Sequence, residues 1–521
     1  MRVSRLPLLG LPLIPSVLAA PTPASVDSFL QSIDVDPNSV PASVKSQSGI
    51  NFTCSVLSII SNNGSSAGNE TLYVARSNSD LYAQEAHAHW SETAWKSPSC
   101  IFAPNNIQDL RRAVLIAGFT NITFAVRSGG HSPLSNWANI DDSLLISMTN
   151  INDLEYDEAA QTQRSGMGNR WGDVYGHLVP YGRIVVGGRL ATVGLGLSTG
   201  GGLSHFSNEW GWVGQNVLQY EVMLSNGSHV NASATENPDL YYASKAGSSN
   251  FGIVTHITQR TYPMGQVWGG LVQFPGNSSK QFMAAMAEYQ GNGQFDTKSA
   301  ILPYIGINND TILATFVYLD GVVRPDAFAP FFEIPVTADY TQVYDNFYEF
   351  CQVDLPYQVP RWTYAATTIA FDNSTSTETY EGLIDVFSQF SSRVQNVTGG
   401  SLAPMVQPVS KSMVDQSRAL GDDPMNVEDR AQLWVGINIG WSLEKDDATV
   451  YQILEDILAA TESYTTSRNV HLPFVFLNDA WSGQQPFVGY GQDSHNKLLA
   501  ASKKYDTRQM FQKLVTGGFK L

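Results

Sequence analysis

The chain has 521 residues, and 30 Lys and Arg stand against 47 Asp and Glu, which gives a formal net charge of −17. Hydrophobic residues make up 43% and charged residues only 15%, a composition that excludes a disordered chain or a coiled coil. The length suits two or three domains with cores of their own. Because a negative field of this size repels phosphate backbones and anionic lipid, we expect no nucleic-acid or membrane partner.

The first twenty residues have the layout of a secretory signal peptide. Arg2 and Arg5 form a basic start, an apolar run follows, and Ala19-Ala20 supplies small residues at the cleavage point. The run is too short and too rich in proline for a membrane anchor. We therefore expect residues 1–20 to be removed and the protein to be secreted.

N-x-S/T sequons are numerous, and their number predicts a glycosylated surface. They lie at Asn51, Asn63, Asn69, Asn121, Asn226, Asn231, Asn277, Asn309, Asn373 and Asn396.

The three cysteines fit an oxidising compartment. Cys54 and Cys100 have no other partner early in the chain, so we predict a disulfide between them, and Cys351 is left as a buried, inert thiol. No C-x-x-C spacing occurs, and no metal site is expected.

In chain order, the patterned part begins near Cys100. In the first half we predict a strand ending at 104, a helix over 105–118, strands over 121–126 and 144–148, a hairpin over 217–230, a helix over 237–245 and a strand over 252–262. After Pro263 we predict strands over 267–274, 311–318 and 432–440, and helices over 279–290, 379–393, 446–463 and around 490–504. The fold class is therefore α+β, with a domain boundary near 263.

A glycine-containing loop, Arg127-Ser128-Gly129-Gly130-His131-Ser132, directly follows a predicted strand. Two adjacent glycines allow the backbone N–H groups to form a concave anion site, to which Arg127 and Ser128 would add donors. On these six residues alone, a simple glycine turn with a capping histidine is the favoured interpretation, and the anion site is the other.

A second segment, Gly187 to His205, holds seven glycines between 187 and 202. A dinucleotide fingerprint is one interpretation, but the third glycine of G-x-G-x-x-G is missing. The stretch Gly196 to Gly200 matches the G-x-S-x-G elbow of serine hydrolases, with Ser198 as nucleophile and His471 or His495 downstream, although three glycines are a poor helix start. The third interpretation is a flavin cradle of a non-Rossmann type.

A third segment, Asn250 to Thr255, follows the helix Asn237 to Ala243 and by itself is structural. Together, R-S-G-G-H-S, V-G-x-G-x-x-x-G-G-G, N-P-D-L-Y-Y-A and N-F-G-I-V-T, in this order and spacing, resemble the berberine-bridge-enzyme-like branch of the vanillyl-alcohol-oxidase superfamily. The C-terminal segment Tyr505 to Leu521 is similar to that of secreted fungal members.

The resemblance implies an FAD-linked oxidoreductase in which His131 is bonded covalently to the flavin. It also implies a PCMH-type FAD-binding domain over 21–263 (core about 96–263), a substrate domain over 264–473 whose antiparallel sheet roofs the flavin with helices behind it, and a segment 474–521 that returns to the FAD domain. The residues implied to bind FAD are Arg127, Ser128, Gly129, Gly130, His131, Ser132, Val193, Gly194, Gly196, Gly201, Gly202, Asn250, Gly252, Ile253 and Val254.

The chain departs from the family pattern in two places. Relatives often carry a second flavin-linking cysteine, but Gly188 to Thr192 contains none, so we predict a single covalent bond. Where relatives show Tyr-x-Asn-Tyr, this chain has Phe476-Leu477-Asn478-Asp479. The base is therefore unassigned, with Asn478 and Asp479 as candidates.

The resemblance implies hydride removal from a C–H bond of a small molecule and reoxidation by dioxygen to give hydrogen peroxide, by a monomeric enzyme. It leaves open whether the substrate is a sugar or a secondary-metabolite alcohol or amine. A secreted serine hydrolase using Ser198 is the alternative from another class.

Overall fold

The structure, a computed structural model, describes residues 23–63, 72–308, 310–352 and 359–521. The predicted signal peptide and the sequons at Asn69 and Asn309 lie outside these ranges. Helices and strands are mixed throughout, which confirms the predicted α+β class. Among the described helices, none is both long enough and apolar enough to cross a membrane.

The strands form three sheets, each built from one continuous part of the chain. The first sheet contains β1 (Leu72–Ala75), β2 (Cys100–Ala103), β3 (Phe124–Arg127) and β4 (Leu144–Ser147). The second contains β5 (Leu154–Asp157), β6 (Thr162–Gly166), β7 (Arg183–Val185), β8 (Val217–Met223), β9 (His229–Ser233) and β10 (Ile253–Pro263). The third contains β11 (Val267–Pro275), β12 (Ser299–Ile305), β13 (Thr311–Tyr318), β14 (Ala338–Asp339), β15 (Gln342–Tyr344), β16 (Arg361–Ala370), β17 (Ser401–Leu402), β18 (Met405–Val409), β19 (Gln432–Trp441) and β20 (His471–Leu472).

The helices are distributed along the whole described chain. Those before residue 263 are α1 (Pro23–Ser32), α2 (Ala42–Lys45), α3 (Gly49–Asn63), α4 (Ser79–Ala86), α5 (Ile107–Thr120), α6 (Trp171–Leu178), α7 (Ser207–Trp210) and α8 (Pro238–Ser244). Those after it are α9 (Ser279–Gly291), α10 (Ala329–Phe332), α11 (Phe347–Cys351), α12 (Ser376–Ser388), α13 (Ser391–Gln395), α14 (Lys411–Ala419), α15 (Asp447–Ser467), α16 (Pro486–Gly489), α17 (Gln492–Tyr505) and α18 (Met510–Lys513).

The first sheet runs in the order β1-β2-β4-β3, with β2, β4 and β3 parallel. The predicted helix over 105–118 is α5, capped by the Asn106 side chain, which accepts from the Asp109 N–H. The predicted disulfide is present: Cys54 on α3 is bonded to Cys100 at the start of β2, with 5.9 Å between their Cα atoms. The N-terminal helices are thereby fixed to the first sheet.

The second sheet runs β5-β6-β10-β8-β9, with β7 also paired to β10. The predicted hairpin is formed by β8 and β9. Its turn contains Asn226-Gly227, and Gly227 has a φ of +81°, a conformation that few other residues adopt. The predicted domain boundary near 263 falls between β10 and β11, where one sheet ends and the next begins.

The third sheet is antiparallel, and its two faces differ. Ile301 and Ile305 on β12 point into a hydrophobic core formed with α9, α12 and α15, whereas Leu302 and Tyr304 on the same strand face a cavity. This alternation follows from the two-residue period of a strand. Across the sheet, Tyr304 pairs with Leu313 on β13 and with Met405 on β18, so the three side chains share the cavity face.

The last part of the chain returns to the first half. The Phe124 N–H donates to the Leu514 carbonyl at 2.8 Å, and the Asn250 side chain donates to the Phe519 carbonyl at 2.9 Å. Gly517 and Gly518 reach the wall of the cavity. This segment therefore closes the cavity from the side of the first sheet.

Candidate functional site

A cavity of about 790 Å³ lies between the glycine-rich loops of the first half and the exposed face of the third sheet. That volume is in the upper part of the range of about 300–1,000 Å³ typical of ligand sites. The sequence-predicted residues in its wall are Ser128, Gly129, Gly130, His131, Ser132, Val193, Gly194, Gly196, Asn478 and Asp479. Two segments predicted separately, the 127–132 loop and the 187–205 segment, therefore meet in one site.

The two glycine segments touch through their backbones. A Cβ atom on Gly129 would lie 2.5 Å from the Cα atom of Gly194, which leaves no room for a side chain at either position. The Ser128 hydroxyl donates to the Met167 carbonyl at 2.5 Å and holds the start of the loop. At this contact the wall of the cavity is consequently formed by main chain, with polar N–H and C=O groups close to any ligand.

His131 lies in the cavity wall with its ring stacked on Trp90, at 4.9 Å between ring centroids and 13° between planes. Its Nε2 atom is buried and has no hydrogen-bond partner within the described parts of the chain. Burial, assisted by the positive charge of Arg170, lowers the pKa of His131 to about 4. The imidazole is therefore neutral near pH 7, the form in which a ring nitrogen is nucleophilic.

Arg127 does not face the cavity, although the sequence suggested that it would add a donor there. Its guanidinium is buried behind the loop, where it donates to the Glu85 carboxylate at 2.7 Å and to the Ser147 hydroxyl at 2.9 Å. It also bonds the Glu85 carbonyl. Since these bonds occupy the side chain, Arg127 supports the loop from behind.

The glycine segment is held in place by Asn478. The Asn478 amide donates to the carbonyls of Leu197 and Gly200, both at 3.1 Å. Ser198, in the same turn, is fully buried, and its hydroxyl donates to the Leu195 carbonyl at 2.7 Å. Because this hydroxyl is inaccessible, the hydrolase alternative is not favoured.

Asp479 adjoins Asn478 but has a different environment. Its Oδ2 atom accepts from the Gln407 amide at 2.8 Å. Burial raises the pKa of Asp479, while the positive charge of Arg189 and the Gln407 hydrogen bond oppose the increase. A carboxyl group with a raised pKa in a cavity wall is suited to accept a proton near neutral pH.

Several predicted residues do not line this cavity. A Cβ atom on Gly201 would meet Met425, and one on Gly202 would meet Val213, so both glycines allow close internal packing. The others outside the wall are Asn250, Gly252, Ile253 and Val254, at and before the start of β10. Their role in binding FAD, which the resemblance implies, stays a prediction.

The structure also places in the site residues that the sequence did not single out: Trp90, Arg189, Tyr304, Trp362, Tyr364 and, behind Asp479, Gln407. The sequence signal for Arg189 is a charged residue inside a glycine-rich, otherwise uncharged segment. No local signal marks Tyr304 or Gln407, because their strands β12 and β18 were not predicted.

The comparisons with known proteins agree with this site. Residues 98–233 match the family described as FAD binding domain. The chain is 48% identical to the bifunctional solanapyrone synthase of Alternaria solani, over all of both chains. The fold resembles 6-hydroxy-D-nicotine oxidase from Arthrobacter nicotinovorans, with a TM-score of 0.71, 18% identity and coverage of 86% of this chain and 98% of that one.

A second solved structure with this fold is the glucooligosaccharide oxidase of Acremonium strictum, which carries a 6-S-cysteinyl, 8α-N1-histidyl FAD. Its TM-score is 0.70, with 15% identity and coverage of 91% of this chain and all of the other. Because a relative matches it at 48% identity over its whole length and its FAD binding domain is present, the chain belongs to the family of FAD-linked oxidoreductases that contains this synthase, and its fold is the one seen in BBE-like and vanillyl-alcohol-oxidase-type flavoproteins.

Proposed function

We propose that this protein is a secreted oxidase that converts a small, mainly apolar alcohol into the corresponding carbonyl compound and produces hydrogen peroxide. The alcohol carbon gives up a hydride and the hydroxyl gives up a proton. Bound FAD supplies the hydride acceptor and the route for two electrons to dioxygen. The observation that carries the proposal is a single cavity that combines the glycine loops and His131 with the carboxyl group of Asp479.

The residues present suit FAD. A wall built from main chain, as at Gly129 and Gly194, allows close approach of a flat or phosphorylated group. The neutral imidazole of His131, whose Nε2 atom has no hydrogen-bond partner in the described chain, is suited to act as a nucleophile toward a bound cofactor. We assign the cofactor contacts to residues 128–132 and to Val193, Gly194 and Gly196, with His131 as the point of covalent attachment.

Asp479 is our candidate for the base that accepts the substrate's hydroxyl proton. It lines the cavity, Gln407 fixes the orientation of its carboxyl group through a 2.8 Å hydrogen bond, and burial raises its pKa. An aspartate here replaces the second tyrosine of the family pattern. The Asn478 amide, by contrast, donates both of its hydrogens to backbone carbonyls, so Asn478 acts as a positioning residue.

The face of the third sheet favours a substrate that is mainly apolar. Leu302, Leu313 and Met405 share the cavity face, and Trp362 and Phe476 add aromatic surface. The polar side chains of Tyr304, Tyr364 and Asn438 lie among them. A carbohydrate presents a hydroxyl on almost every carbon, and each one requires a partner when it leaves water. An alcohol on a conjugated or aromatic skeleton therefore matches this wall better than a sugar does.

Secretion and glycosylation rest on the first twenty residues and on the positions of the sequons. Asparagines of six sequons are exposed: Asn51, Asn121, Asn226, Asn277, Asn373 and Asn396. Glycans on these positions would project into solvent. We expect a monomer, released after removal of the signal peptide and carrying glycans on part of this set.

The function is tested by peroxide release. The mature protein, purified from the medium, should be yellow and should release one hydrogen peroxide per dioxygen consumed with benzylic or allylic alcohols. Gluco- and xylo-oligosaccharides serve as the comparison panel. Oxidation of the sugars alone would overturn the substrate class, and a colourless protein labelled by a fluorophosphonate at Ser198 would overturn the oxidase itself.

A further inference from the structure

Arg189 is a charged side chain in the cavity wall without a partner. Within the described residues its guanidinium makes no hydrogen bond and no ion pair, although five N–H donors are available. Arg127 shows the contrast, because its buried guanidinium donates to Glu85 and to Ser147. A guanidinium that is half-buried in a mainly apolar cavity wall and has no acceptor there is unfavourable, so its position points to a ligand that supplies the acceptors.

The surroundings of Arg189 indicate which part of the cavity it serves. The titratable groups that are electrostatically coupled to it are Asp479, Tyr304 and the buried His205 of the glycine segment. Tyr304 lies on β12 of the third sheet, and Asp479 lies in the turn Leu477–Asp479. Arg189 therefore shares the cavity wall with Tyr304 of the sheet and with the candidate base Asp479, while its own backbone belongs to the glycine segment.

The neighbouring carboxyl group does not neutralise Arg189 directly. Asp479 accepts a hydrogen bond from Gln407 through Oδ2. In the described part of the chain, no nitrogen of Arg189 lies within 4 Å of an oxygen of Asp479 as an ion pair would require. Burial lowers the pKa of Arg189, but the group stays protonated because its ordinary value is so high. The cavity consequently contains one unpaired cation beside an apolar wall made by Leu302, Leu313 and Met405.

We infer that Arg189 recognises a delocalised oxyanion on the substrate, so that the substrate is a planar, mainly apolar alcohol that also carries an ionised enol or a carboxylate. The planar guanidinium offers two parallel N–H donors, which fit two oxygens or one oxygen with two lone pairs. This inference rests on the proposed oxidase function in one respect, namely that the bound molecule is the substrate. The recognition itself is a binding property that can be measured without turnover.

The test compares matched ligands on the oxidised holoenzyme. The probes are 4-hydroxycoumarin, an ionised enol, against neutral 4-methylcoumarin, and 2-naphthoate against neutral 2-naphthol, followed by calorimetry and by changes in the flavin absorbance. For wild type we expect the ionised member of one pair to bind about 10- to 100-fold more tightly than its neutral partner, the range given by a charge-assisted hydrogen bond. The pair that shows the preference distinguishes an enolate from a carboxylate.

Arg189→Met should abolish this preference and leave the binding of the neutral probe within about threefold of wild type. Arg189→Lys should retain part of the preference, since the positive charge remains while the pair of parallel N–H donors is lost. Arg260→Met, which removes one exposed positive charge outside the cavity, is the matched control and should behave as wild type.

An unchanged preference in Arg189→Met would overturn the inference, as would equal binding of all four probes by wild type. A loss of flavin or an altered flavin spectrum in ligand-free Arg189→Met and Arg189→Lys would also overturn it, because the guanidinium would then serve the cofactor. Peroxide release by wild type is scored separately. A preference without peroxide therefore contradicts only the oxidase, and peroxide without a preference contradicts only the role of Arg189.

Discussion

Gly129 and Gly194 approach so closely that a Cβ atom built on Gly129 would lie 2.5 Å from the Cα atom of Gly194, and one built on Gly194 would lie 2.6 Å from the Cα atom of Gly129. These distances join two segments 65 residues apart in the sequence, and neither neighbour is a flexible side chain that could move aside. The contact therefore fixes the relative position of the two glycine segments in the cavity wall.

Gly129→Ala and Gly194→Ala should each separate the two segments and reduce the FAD content of the purified protein severalfold. Forcing a methyl group into a packed backbone contact costs about 1–3 kcal/mol. Gly265→Ala is the matched control, because a Cβ atom there would meet nothing within 4 Å. FAD is measured by absorbance per protein, and full occupancy in Gly129→Ala would contradict the role of the contact.

His131→Ala should abolish covalent attachment of the flavin. Acid precipitation of wild type is expected to leave the yellow colour in the protein pellet, whereas the variant should release it into the supernatant. His87→Ala removes an exposed histidine that stacks on Trp95, outside the cavity, and serves as control. Colour retained in the His131→Ala pellet would show that attachment, if any, lies elsewhere.

The glycine segments and the single disulfide were predictable because they depend on local chemistry. Glycine runs mark places where backbone must approach something closely, and Asn226-Gly227 fixes a hairpin through its turn alone. The helix α5 was equally accessible, since its apolar spacing and its cap at Asn106 lie within fifteen residues. Features of this kind need no knowledge of the rest of the fold.

The substrate side of the cavity was not predictable in the same way. Tyr304, Met405 and Gln407 lie on strands β12 and β18, which carry apolar residues on both the core face and the cavity face and so lack a clear alternation of polar and apolar residues. Their neighbourhood depends on pairing between distant segments, such as Tyr304 with Met405. Arg127 is a residue that the sequence did single out, but in the wrong role. Its charge suggested a contact with a ligand, whereas the structure shows that its partner is Glu85.

If Asp479 is the base, kcat/KM should rise with pH as its carboxyl group ionises and reach a plateau above its pKa. Burial raises that pKa, so the rise should lie above the ordinary aspartate range. Asp479→Asn should lower kcat/KM by about 10²- to 10⁴-fold and remove this limb of the profile.

Gln407→Leu gives a second, graded test of Asp479. The Gln407 amide stabilises the ionised carboxylate, so its loss should raise the pKa of Asp479 further and move the limb to higher pH while the plateau rate changes little. A limb that stays in place in both Asp479→Asn and Gln407→Leu would assign the titration to another group.

Removal of the disulfide should destabilise the protein without touching the site. Cys54 and Cys100 are 46 residues apart, and closing a loop of that length in the unfolded chain is worth about 4 kcal/mol in the chain-entropy treatment. Cys54→Ser/Cys100→Ser should therefore lower the free energy of unfolding by up to about 4 kcal/mol, measured by urea denaturation of the mature protein. Cys351→Ala, which removes a buried free thiol, is the control and should cost less. Reducing agent should lower the urea midpoint of wild type towards that of the double variant and leave the midpoint of the variant unchanged. Equal midpoints for oxidised wild type and the variant would mean that the bond does not restrain the unfolded chain.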